Sequence, residues 1–166
     1  MNRDHNRDLS DIARVSERTI SLIFDRRFDE AESMIEEARK HFPAGESHRL
    51  AALTAVLRNE MGDRDESIRL MREAVREKPT WLPHLYRLAI FLMDAERWLD
   101  ADMALDELIH LCQQQNDFYF LDDARFRKII CMKSLGQFER IQTEKAKITP
   151  GTEVFIGSKR IGISDL

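Results

Sequence analysis

The sequence predicts an all-α solenoid of stacked helix pairs that ends in a short non-helical tail. Three observations carry that prediction. First, the 166 residues include only six glycines and four prolines, and Pro150, Gly151, Gly157 and Gly162 all lie in the last stretch. Up to Ile148 the chain is rich in Ala, Leu, Glu, Arg and Met, which lose least on entering a helix. Second, apolar residues recur at helical spacing, as in Leu85, Leu88, Ala89 and Leu92. Third, one motif returns. A turn position (Arg26, Gly62, Glu96, Gly136) is followed five residues later by Ala31, Ser67, Ala101 and Ile141, at offsets of 36, 34 and 40 residues. A period in that range marks an array of helix pairs.

Three segments follow: an N-terminal arm at 1–11, a helical repeat domain at 12–148 and a tail at 149–166. The first pair starts with "IARVSERTISLIF" and continues through Phe28, Ala31, Ile35 and Ala38 to Pro43. The second starts with "HRLAALTAVLRNEM", turns at Gly62 and runs through Ser67, Met71 and Ala74 to Pro79. Glycine takes positive φ at low cost, which suits the end of a first helix, and Asp63 is placed to cap the next one. Pro43 and Pro79 stop the second helices, because proline offers no N–H and disfavours helix just before it. The third pair joins "LPHLYRLAIFLMDA" to Trp98, Ala101, Leu105 and Leu108. The fourth joins "DDARFRKIICMKSL" to Phe138, Ile141, Lys145 and Ile148, after an extra stretch "NDFYFL". In the tail, Val154-Phe155-Ile156 and Ile161-Gly162-Ile163 flank "GSKR", a β-prone pattern that allows a small hairpin; a tail folded back over apolar surface, one mobile until a partner binds, and an ordinary frayed terminus all stay open.

These large and small positions resemble those of the tetratricopeptide repeat (TPR) family over residues 12–148, in about four units. The third unit matches best, and the fourth is degenerate, with Arg125, Lys128 and Lys145 at apolar positions. The resemblance implies a right-handed α-solenoid whose first helices line a concave groove. The groove positions are then Glu17 and Ile20 in unit one, and Arg49, Val56, Asn59 and Glu60 in unit two. Unit three gives Tyr86, Arg87, Ile90, Met93 and Asp94, and unit four gives Phe126, Arg127, Ile130 and Lys133. Tyr, Phe, Met and Arg are enriched at interface centres, and Tyr86, Arg87, Phe126 and Arg127 are expected to form one aromatic-cationic patch. Some TPR proteins hold a peptide carboxylate with Lys and Asn on one first helix. Ala52 and Val56 stand at those places, which argues against such a clamp. "NDFYFLDD" has two readings: a plug between units three and four, or one wall of a partner site.

Several chemistries are disfavoured. The net charge of −4 exerts no general pull on nucleic acid or an anionic membrane. The five histidines contain no i, i+4 pair, so no metal is expected. Cys112 and Cys131 make no disulfide framework. The start has no apolar signal segment, and a cytoplasmic setting is expected. "DADMALDE" reads as a solvated helix face, and no nucleotide loop, catalytic motif or cofactor signature is present.

The leading expectation is therefore a non-enzymatic module, adaptor or chaperone-like, that holds another protein in its groove. Self-association stays open. An alternative uses charge. Residues 82–121 carry seven acids against two bases, and 122–148 carry seven bases against four acids. The acidic third unit would suit an immunity or inhibitor protein that neutralises a basic toxin or enzyme. The opposite charges of these neighbouring segments would equally attract each other. An enzyme with a dispersed site is the third reading.

Overall fold

The computed structural model describes residues 11–156 and 159–165. Most of the expected arm, residues 1–10, and the Gly157-Ser158 link lie outside the described residues. The chain forms two compact units, Met1–Pro79 and Thr80–Leu166.

The first unit holds two helix pairs. α1 (Ile12–Phe24) and α2 (Phe28–His41) form one, and α3 (Ser47–Glu60) and α4 (Arg64–Glu77) form the other. Asp11 caps α1 by accepting from Ala13 N at 2.9 Å, and Asp63 caps α4 by accepting from Glu66 N at 3.3 Å. α3 packs on α1, α2 and α4. Two cross-helix bonds fix α2 against α3: Arg58 Nη2 to Glu32 Oε1 at 2.5 Å, and Arg39 Nη2 to Thr54 Oγ1 at 2.9 Å.

In the second unit α5 (Leu82–Asp94) pairs with α6 (Trp98–Gln115), and α6 packs in turn on α7 (Leu121–Ser134). The fourth pair then departs from the pattern. Its second helix opens as a 3-10 turn (Phe138–Arg140) and continues only as the short α8 (Ile141–Lys145). Strands β1 (Glu153–Ile156) and β2 (Lys159–Gly162) follow as an antiparallel hairpin, with Val154 opposite Ile161 and Phe155 opposite Arg160. Val154 joins Phe126, Ile129, Met132, Ile141 and Ile148 in one buried cluster, against which Ile156, Ile161 and Ile163 pack. The tail thus covers the apolar surface of the fourth pair, where an array end otherwise needs a polar cap.

The turn motif repeats in detail. Arg26, Gly62, Glu96 and Gly136 all have positive φ, at 59°, 90°, 57° and 71°. After each, the next amide bonds the carbonyl five residues back: Arg27 to Leu22, Asp63 to Arg58, Arg97 to Leu92 and Gln137 to Met132, at 2.8–2.9 Å. This six-to-one bond, closed by a left-handed residue, ends a helix and reverses the chain. Five residues past each turn position, Ala31, Ser67 and Ala101 are fully buried and Ile141 nearly so. At the first three, a side chain without bulk lets paired helices approach. Two of the four turn positions are not glycine, so Arg26 and Glu96 bear the left-handed cost that Gly62 and Gly136 avoid.

The helix interface between α6 and α7 holds a buried cation. Lys128 is 1% exposed. Its Nζ pairs with Asp106 Oδ1 and lies 3.5 Å from Asp102 Oδ1. Asp102 is itself 8% exposed. The expectation that "DADMALDE" is a solvated face is corrected at Asp102, because α7 places a lysine where the repeat pattern wants an apolar residue.

Glu96→Gly is expected to raise the free energy of unfolding by about 1 kcal/mol, and Gly62→Ala to lower it by about 1 kcal/mol. Urea denaturation of both variants checks this, and a stabilising Gly62→Ala would contradict the strain account. Lys128→Ala leaves Asp102 uncompensated and is expected to cost about 3–5 kcal/mol. The double variant Lys128→Met/Asp102→Leu is expected to regain most of that loss in the same assay.

Candidate functional site

α5 and α7, both first helices of their pairs, meet through Tyr86 and Arg127. The Arg127 guanidinium lies 5.5 Å from the centroid of the Tyr86 ring, close enough for cation–π attraction. Its Nη2 donates to the Tyr86 hydroxyl at 3.3 Å and to the Phe155 carbonyl at 3.1 Å. Its Nε donates to Asp123 Oδ2 at 2.6 Å, one helical turn earlier on α7. Burial works against the Arg127 charge, yet Asp123 and then Tyr86 outweigh it and hold the guanidinium above its ordinary value. Burial pushes the Tyr86 phenol up, with Arg127 opposing and Asp123 adding to the shift.

Aromatic rings extend the cluster. Phe120 stacks on Tyr86 with centroids 4.7 Å apart, and Tyr119 meets Phe120 edge-on at 4.8 Å. Tyr119 is 83% exposed and Phe118 is 60% exposed. These rings stand on a turn held by its own bonds. Asn116 ends α6 in the left-handed conformation. Asp117 N donates to Cys112 O at 3.0 Å, and Asp117 Oδ1 accepts from Tyr119 N at 3.1 Å. Of the two readings of "NDFYFLDD", a plug suits only Phe120, which is half-buried. Phe118 and Tyr119 face outward.

The polar flank of α7 binds the end of the fourth pair and the tail. Arg125 Nη1 donates to Lys147 O at 2.5 Å. Asp122 Oδ2 accepts from Thr149 N and Thr152 Oγ1, both at 3.3 Å. Arg127 reaches Phe155 O. In a hairpin linked by two residues, the pair next to the turn is hydrogen-bonded and the following pair, Phe155–Arg160, is not. The Phe155 carbonyl therefore points out of the hairpin, toward Arg127. The Phe155 side chain is 65% exposed.

The expected groove residues fare unequally. Tyr86 and Arg127 come together as anticipated, but Phe126 does not join them. It is fully buried in the core of the fourth pair, on a different side of α7. Phe120 takes the place expected for it. Met93 is buried as well, and Arg127 is 8% exposed, with its donors already engaged. Arg87 and Ile90 are half-buried, Ile130 packs on the core, and Asp94 and Lys133 are exposed. In the first unit, Arg49 pairs with Glu46 at 2.9 Å, Asn59 is half-buried and Glu60 is exposed. Of the remaining groove positions, Glu17 is exposed, Ile20 half-buried and Val56 buried. Sequence reasoning missed the Phe155 carbonyl, which no side-chain pattern announces. It also missed a cleft of about 460 Å³ between α1 and α2, floored by Val15, Leu22 and Met34.

Among the described residues, no group of three or more His, Cys, Asp or Glu is placed to hold a metal ion. No described helix is long and apolar enough to cross a membrane.

No family model matches the chain, and no curated protein matches it. Solved structures do. TPR-like repeats assigned to a kinesin light chain of Podosopora anserina superpose with a TM-score of 0.68 at 12% identity, covering 80% of this chain and 71% of that one. BtubC from P. vanneervenii gives 0.64 at 13% identity over 85% and 70%. Aspartyl phosphate phosphatase F from Bacillus subtilis gives 0.72 at 14% identity. That match covers 84% of this chain but only 39% of the phosphatase. The fold is thus an all-α, TPR-like helical repeat.

Burial, and then the charge of Asp102, push the Cys131 thiol up to about 12, and burial raises Cys112 too. The thiolate is the nucleophile, so both sulfurs are expected to resist iodoacetamide at pH 8 in the folded chain and to react once urea unfolds it. Mass spectrometry of the alkylated protein checks this. Labelling of Cys131 at the unfolded rate under native conditions would contradict it.

Proposed function

We propose that this chain is a non-enzymatic protein-binding module, adaptor or chaperone-like, and that the α5–α7 face of the second unit holds its partner. The reading draws first on the fold, since TPR-like arrays present long side-chain surfaces suited to other polypeptides. The observation that carries it is the Tyr86–Phe120–Arg127 cluster, with Tyr119 and Phe118 displayed beside it. Large aromatic rings at the surface of a pre-ordered frame are the usual energetic centres of protein interfaces. Partner contacts are assigned to Tyr86, Arg87, Ile90, Asp94, Ile130 and Lys133, to which Phe118, Tyr119 and Phe120 are added. Phe126 and Met93, both buried, are not among them.

Neutralisation of a basic toxin or enzyme through the acidic third unit has less to draw on. Two of its acids, Asp102 and Asp106, already serve Lys128. A peptide-carboxylate clamp has less still, since Arg127 has three partners of its own.

A photo-crosslinking amino acid at position 119 or 133 is expected to trap one discrete polypeptide in cells. The same group at position 103, exposed on α6, is expected to trap none. Adducts formed at 103 but not at 119 or 133 would move the partner to another face and sink this assignment.

A further inference from the structure

The partner's chemistry can be read from the charge around the exposed rings; this inference rests on the protein-binding reading above. Residues 111–124 contain three acids (Asp117, Asp122, Asp123) and no base. The nearest cations on α7 face inward. Arg125 and Arg127 have side chains only 14% and 9% exposed. Arg125 is engaged by Asp122 and the Lys147 carbonyl, and Arg127 by Asp123, Tyr86 and the Phe155 carbonyl. What the turn offers to solvent is therefore the rings of Phe118 and Tyr119 and the exposed carboxylate of Asp117. Aromatic faces beside an acid attract a cation carried on an apolar stem, guanidinium above all.

We infer that the 116–120 turn is a docking point for an extended segment of a partner protein bearing arginine or lysine next to apolar residues. The basic group lies over Tyr119 or Phe118 with Asp117 as its counter-ion, and the apolar neighbours rest on the rings. The turn is already ordered by the bonds of Asn116, Asp117 and Tyr119, so binding freezes little backbone there. The preference is for bases and against acids, because Asp117 is the charge the turn exposes, whereas Asp122 and Asp123 are answered by Arg125 and Arg127.

The test is a random-peptide array probed with the full-length chain, followed by solution titration of the peptides it selects. Bound peptides are expected to be enriched in Arg and Lys beside apolar residues. Replacing each arginine by neutral, isosteric citrulline is expected to weaken binding about threefold or more. Tyr119→Ala is expected to weaken it about tenfold, and Asp117→Asn to weaken it less while keeping the acceptor for Tyr119 N. Circular dichroism of both variants monitors the fold, which an 83% exposed ring does not support. Selected peptides without basic enrichment, or binding unmoved by Tyr119→Ala, would overturn this inference and leave the protein-binding reading standing. An array from which the full-length chain selects nothing would overturn both.

Discussion

One backbone constraint underlies the helix pairs: a left-handed residue closing each first helix. It occurs at Arg26, Gly62, Glu96 and Gly136, each time with the same bond from the following amide to the carbonyl five residues back. That geometry satisfies helix-end carbonyls that would otherwise lack partners, and it sends the chain back along the helix it has just left. Once the reversal is set, a residue five positions on must face the first helix. Ala31, Ser67 and Ala101 fill that place without bulk.

The fourth pair obeys the turn but not the rest. Two of its three charged departures, Arg125 and Lys128, have physical partners. Lys128 answers the acids of α6, so part of the opposition in sign between neighbouring segments is resolved inside the second unit. Arg125 binds the backbone at residue 147, just before the tail, and Asp122 and Arg127 bind the tail's backbone at residues 149 and 155. Degeneracy at Arg125 and Lys128 is thus a change of task. A helix that would have received another helix pair instead receives a hairpin, whose Val154 completes the apolar cluster while α7 holds its backbone.

The same arrangement shapes the candidate site. Arg127 looks like a ligand-binding cation in the sequence, but its guanidinium is consumed in joining α5, α7 and the hairpin. Its role is to position Tyr86, and with it Phe120. What stays exposed beside them is the pair of rings Phe118 and Tyr119 with the carboxylate of Asp117, a combination that bulk composition does not disclose.

The sequence by itself determined the helix pairs, their spacing, their turn positions and the hairpin-prone tail. These are local properties, written in propensity, in the 3.6-residue period and in punctuation by Gly and Pro. Glycine at two of the turns was visible, whereas left-handed Arg26 and Glu96 were not, because nothing in their side chains announces the conformation. Tertiary structure alone decided which side of α7 faces where. Phe126 and Arg127 are neighbours in sequence, yet one is core and the other a clasp, since a step of one residue turns about 100° around a helix. It also decided that Asp102 is buried, that Phe120 is the ring that meets Tyr86, and that a backbone carbonyl at Phe155 completes the cluster. Each of those facts depends on a pairing across 26 to 34 residues, and such separations leave no periodic trace in the chain.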